Sequence, residues 1–149
     1  MGFFSKAKGN LSNFLKSAKN VTNKDVLVAT CGVCVSVACV DGDYSKEEFA
    51  TISSMIANDD RLKSFTQNDI DQAMAKFTVN FSQPHMIPVG KIHVNTALEV
   101  STLVKEEKQM IIAMALAVAG ADGNIDKDEL DLIETYSRKL GVSMSLFGY

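Results

Sequence analysis

The chain has 149 residues, of which 46% are hydrophobic and 22% charged, and a formal net charge of −3. That size fits one domain of about 100–150 residues and buries roughly 68–70% of the unfolded surface, enough for a core without metal or disulfide staples. Residues 1–24 hold five lysines (Lys6, Lys8, Lys16, Lys19, Lys24) and no acid, leaving ten basic against eighteen acidic residues, a net of −8; so acidic a body excludes general nucleic-acid binding, which needs a basic face.

In chain order, a basic segment over 1–24 precedes a domain over 25–149. Within the segment Phe4, Ala7, Leu11, Phe14, Leu15 and Ala18 recur at helical spacing between lysines. Two readings are open. One is a helix packed on the body; the other is an interfacial helix drawn to anionic lipid through Lys6, Lys8, Lys16 and Lys19. Lys6, Lys8, Asn10 and Lys16 interrupt the apolar pattern, so it is no secretion signal. Ser5 stands one place too early for a myristoylation motif.

The next element is the apolar run Val26 to Val40. Propensity alone reads its Val, Thr and Cys content as a buried strand. It is shorter than the ~18 residues a membrane span needs. A helix is expected from about Ser45 to Asn58, with Phe49, Ile52, Met55 and Ile56 on one face, and another from about Thr66 to Phe81 through Ile70, Met74 and Phe77. The stretch Pro84 to Gly90 reads as a stop, followed by a helix over roughly Lys91 to Val104. The run Met110 to Ala119 reads as helix from its Ala, Met and Leu content. The last long helix spans Asp126 to Leu140, with Gly141 as its stop. No hairpin signal occurs.

An internal repeat unites these elements. Val37 to Phe49 aligns with Val118 to Leu130 at a constant offset of 81, with six of thirteen positions identical. The chain therefore reads as two related halves, about 25–82 and 83–149. The repeat also decides the doubtful element: both apolar runs end in the same Asp-Gly turn, so both read as helices, apolar nearly all round and central in the core. The expected fold class is all-α, a compact helical bundle.

Each Asp-Gly turn has two readings. Gly42 and Gly123 suit the left-handed conformation that closes a helix, and Ser45 with Glu48, like Asp126 with Glu129, has capping-box spacing. Caps do not account for Asp41 and Asp122, whose charges stand at the negative end of a helix dipole. A bound cation would. Asp122 to Glu129 matches the second half of a calcium loop, but its first half is missing, and calcium takes about 6–8 oxygens. One half-loop is too little; two with converging carboxylates make a candidate site from Asp41, Glu48, Asp122, Asp126 and Glu129.

The three cysteines, Cys31, Cys34 and Cys39, are odd in number and lie in one apolar stretch, which points to a reducing, cytoplasmic setting. Cys31-x-x-Cys34 falls inside a helix rather than at an exposed helix start, so packing competes with redox use. His85 and His93 lack zinc-site spacing. No phosphate loop, serine elbow or metalloprotease helix is present, and no enzyme activity is expected.

The paired Asp-Gly-x-x-x-x-x-Glu units, the Met1-x-Phe3-Phe4-x-Lys6 start and the Leu146-Phe147-Gly148 ending resemble the bacterial tellurite-resistance protein B (TerB) family along essentially the whole chain. The resemblance implies about seven helices with an internal pseudo-two-fold repeat and a role in resistance to tellurite and other stresses. It also implies metal binding that maps onto Asp41, Glu48, Asp122 and Glu129, a membrane partner, and calcium-binding stress proteins as associates. Val40, in place of the usual alanine, and Tyr44, in place of a small aliphatic, set the first turn apart. The expected function is a non-enzymatic stress-response scaffold, cytoplasmic or peripheral at the inner membrane. It binds a divalent cation, calcium before magnesium or manganese, and protein partners of the tellurite-resistance system. The alternatives are thiol-based handling of tellurite or redox stress through Cys31 and Cys34, and a pure protein-interaction module.

Overall fold

The computed structural model describes residues 21–42, 45–100, 102–121 and 123–149. Among them are six α-helices: α1 (Lys24–Ala38), α2 (Lys46–Ala57), α3 (Gln67–Phe81), α4 (Ile87–Val100), α5 (Lys105–Ala119) and α6 (Lys127–Leu140). Short 3-10 turns cover Asp60–Leu62, Pro84–Met86 and Met144–Phe147, and no strand occurs among the described residues. The all-α expectation holds.

The start signals act through their side chains. Asn23 opens α1 by accepting from the Asp25 amide at 2.9 Å. Ser45 Oγ accepts from the Glu48 amide at 3.2 Å, and Thr66 with Asp69 forms a full capping box on α3. Each interaction satisfies an amide that the first helical turn leaves without a carbonyl partner.

The two runs expected at the centre are central. From Val26 to Val37 every residue of α1 is buried except the half-buried Val28, and Met110 to Leu116 of α5 are all buried. A continuous run of buried side chains requires neighbours on all sides, and α1 packs against α3, α4, α5 and, less extensively, α2 and α6. The β-branched Val and Thr content that resembled a strand is accommodated because tertiary burial outweighs a weak intrinsic preference.

The fourth helix is a correction. It runs Ile87–Val100 rather than Lys91 to Val104, and the expected stop lies partly inside it. Pro88 is its second residue, in the first turn, where an absent N–H removes no helical hydrogen bond. Val104 instead precedes α5, with its amide donating to Glu107 Oε1 at 2.9 Å. The start of α5 therefore lies five residues before Met110.

Two glycines whose packing role carried no sequence signal lie against aromatic rings. A Cβ on Gly32 of α1 would lie 2.8 Å from Phe77 Cζ, and one on Gly90 of α4 would lie 2.7 Å from Phe81 Cε2. Both phenylalanines belong to α3, four residues apart on one face, so α3 seats a ring against the bare backbone of each neighbour.

Candidate functional site

The turn after α1 and the turn after α5 are built by the same hydrogen bonds. In the first, Cys39 N donates to Val35 O (3.1 Å), Val40 N to Val37 O (3.3 Å) and Gly42 N to Cys39 O (2.9 Å). In the second, Gly120 N donates to Leu116 O (2.9 Å), Ala121 N to Val118 O (3.3 Å) and Gly123 N to Gly120 O (2.9 Å). Every donor and acceptor is displaced by 81 residues. Gly42 and Gly123 have φ of +85° and +100°, the left-handed conformation that the turn demands.

The carboxylates divide by role. Asp126 and Glu129 form a reciprocal capping box at the start of α6. Asp126 Oδ1 accepts from the Asp128 amide at 3.2 Å and Glu129 Oε1 from the Asp126 amide at 3.3 Å. In the first turn the cap is built differently: Ser45 Oγ, besides accepting from the Glu48 amide, donates to Glu47 Oε2 at 3.0 Å. The backbone amide of Glu47 first, and then that bond, hold the Glu47 carboxyl below the usual range. Glu47 was not among the expected site residues; its signal would have been its position two residues after the capping serine.

Asp41 and Glu48 are exposed. Burial first, and then the charges of Glu48 and Asp41, push the Cys39 thiol up to about 12. Asp122 lies outside the described residues, as do Asp43, Tyr44 and the basic residues Lys6, Lys8, Lys16 and Lys19. Among the described residues no group of three or more His, Cys, Asp or Glu side chains is gathered in a form that could hold a metal ion.

Cys31 and Cys34 are fully buried in α1. Burial pushes Cys31 up to about 12 and Cys34 well above its ordinary value, the latter with a further contribution from Cys31. The reactive species of cysteine is the thiolate, so these two act as small apolar core residues. His93 pairs through Nδ1 with Asn80 Nδ2 at 3.0 Å, a tie between α4 and α3.

No helix among the described residues is long and apolar enough to cross a membrane. The family model described as "Tellurite resistance protein TerB" matches residues 27–148. No curated protein and no solved structure gives a significant match.

Proposed function

The chain belongs to the TerB tellurite-resistance family, and from that membership we propose a non-enzymatic, cytoplasmic stress-response module whose two acidic turns together take a divalent cation of the calcium class. The observation that carries the reading is the duplication itself. The same turn recurs at an offset of 81, with an aspartate before the left-handed glycine and a glutamate six residues after it. Two aspartates at the unfavourable end of a helix dipole suit a cation at that end. An ionised carboxylate has about four lone-pair sites, so a capping role does not by itself bar a carboxylate from such a site.

The experiment is calorimetric titration of the full chain with calcium, magnesium and manganese. The unmodified protein binds at least one of them. Asp122→Asn abolishes binding rather than halving it, because each half-loop offers too few oxygens, and it leaves the melting temperature nearly unchanged. Glu129→Ala loses the metal and also about 1 kcal/mol of capping stability. No binding of any of the three at millimolar levels defeats the reading and leaves the turns as caps of an interaction module.

The basic segment supplies the second half of the proposal. Lys6, Lys8, Lys16 and Lys19, with no acid among residues 1–24, suit an anionic membrane surface, at roughly 1 kcal/mol for each lysine near it. There the body would meet protein partners of the resistance system, a membrane protein among them. Co-sedimentation with phosphatidylserine vesicles is expected to weaken with salt and with replacement of these four lysines by glutamine. Equal binding by the replaced protein rejects it.

A further inference from the structure

A corner of the fold away from the acidic turns holds the stretch that leads into α1. Val21 is only 7% exposed. Its amide donates to Arg61 O at 2.7 Å and its carbonyl accepts from Ser64 Oγ at 2.6 Å. Both partners lie on the connection between α2 and α3, so one residue of the strap is held from both of its backbone sides. Lys24 adds an ion pair to Asp69 at 3.3 Å.

The same connection carries a charge into the core. The Arg61 side chain is 1% exposed, and its guanidinium meets Asp59 in a two-pronged pair, Nε to Oδ1 at 2.9 Å and Nη2 to Oδ2 at 2.7 Å. Asp59 Oδ1 also accepts from the Arg61 amide at 2.9 Å, which starts the 3-10 turn. Among the described residues the remaining nitrogen, Nη1, is buried without a hydrogen-bond partner. Asp59 is thus the ion that neutralises Arg61, and one donor is already unsatisfied. Without the Asp59 charge, a full positive charge would stay buried and uncompensated, which is strongly unfavourable. Arg61 then gains by turning out to water, and the connection that swings with it bears both groups that grip Val21.

We infer that the Asp59–Arg61 pair is a charge lock on the N-terminal strap: paired, it keeps the corner closed over Val21; with the Asp59 charge removed, it releases the strap while the helical body stays folded. The lock couples one buried carboxylate to the root of the lysine-rich segment. It stands independently of the proposed cation site.

Amide hydrogen exchange on the full chain, followed by NMR, tests it. Asp59→Asn keeps the Oδ1 acceptor that starts the 3-10 turn, removes the charge and puts an amide donor in place of the Oδ2 that accepts from Arg61 Nη2. Exchange at the Val21 amide is expected to rise about tenfold or more, while Ile111 to Leu116 of α5 change by less than about twofold. Asp59→Asn combined with Arg61→Met removes both charges at similar volume and restores protection of Val21. Unchanged exchange at Val21 in Asp59→Asn, or exchange as fast in the double variant as in the single, overturns the lock. Failure of Asp59→Asn to fold, or equal acceleration of Val21 and the α5 amides, overturns a local release.

Discussion

Ser36 Oγ on α1 and Tyr136 Oη on α6 lie 2.6 Å apart in the buried core, 100 residues apart in sequence. This bond ties the central helix of the first half to the last helix of the second. The repeat does not duplicate it: the positions 81 residues away are Ala117 and Met55. The phenol's burial raises its pKa, and its hydrogen bond with Ser36 works against that rise.

The pair predicts a non-additive cycle. Ser36→Ala or Tyr136→Phe alone leaves a buried hydroxyl unsatisfied, at about 1–3 kcal/mol. The double variant is expected to cost less than the two singles together, since no orphan remains. Urea melts of the four proteins check it. Additive losses would show that the bond adds nothing beyond the packing of each side chain.

Gly32→Ala is expected to destabilise although alanine is the better helix former. The new Cβ would come 2.8 Å from Phe77 Cζ and 2.9 Å from Cε1, so either the ring or the helix must shift. Overpacking of that kind costs about 1–3 kcal/mol. Thermal melts decide the sign, and Phe77→Leu in the Gly32→Ala background is expected to recover part of the loss. A more stable Gly32→Ala would mean that the ring moves freely.

The capping box of α3 predicts an acid-sensitive contribution. The Thr66 backbone amide (2.9 Å to Asp69 Oδ2) and then the Thr66 side chain hold the Asp69 carboxyl below its usual range, with a smaller effect of Lys24. A lowered folded-state pKa means that the contribution is present above roughly pH 4 and is lost as pH falls through the folded value. Asp69→Asn is therefore expected to melt lower near neutrality and to flatten the acid limb. Melts across pH 2 to 7 measure it; parallel curves for both proteins would reject the assignment.

The thiols predict a silent native state. With Cys31 held up at about 12 by burial and Cys34 also raised, neither is expected to react with a maleimide near neutral pH in the folded protein. Both label at once in denaturant. Mass spectrometry counts the labels. Rapid native labelling of Cys31 or Cys34 would revive the thiol reading.

Much of the fold was legible because local chemistry repeated. The Asp-Gly turns, left-handed at both glycines, and the capping box of Asp126 and Glu129 depend on neighbours within a few residues, so spacing alone carries them. The offset of 81 resolved the Val26 to Val40 run, since its partner Met110 to Ala119 is helical by composition. Charge likewise marked the basic segment, whose residues up to 20 lie outside those described.

The remainder was decided by contacts that the sequence does not order. Gly32 and Gly90 matter because of phenylalanines 45 and 9 residues away in sequence, one on each side of α3 in the chain order. Pro88 reads as a stop, yet a proline in the first turn is compatible with a helix that begins at Ile87. Arg61, which composition assigns to the surface, is buried because Asp59 pairs with it twice. The acidic residues show the same division. Sequence pattern duplicated Asp41 and Asp122, Glu48 and Glu129, and the spacing of Asp126 and Glu129 already read as a cap, whereas the bond from the Ser45 hydroxyl to Glu47 Oε2 was settled only by the folded side-chain geometry. Local hydrogen bonding has a range of about four residues and is written in spacing; the burial of a charge or a close approach to glycine depends on which helices become neighbours, and that is settled only when the core closes.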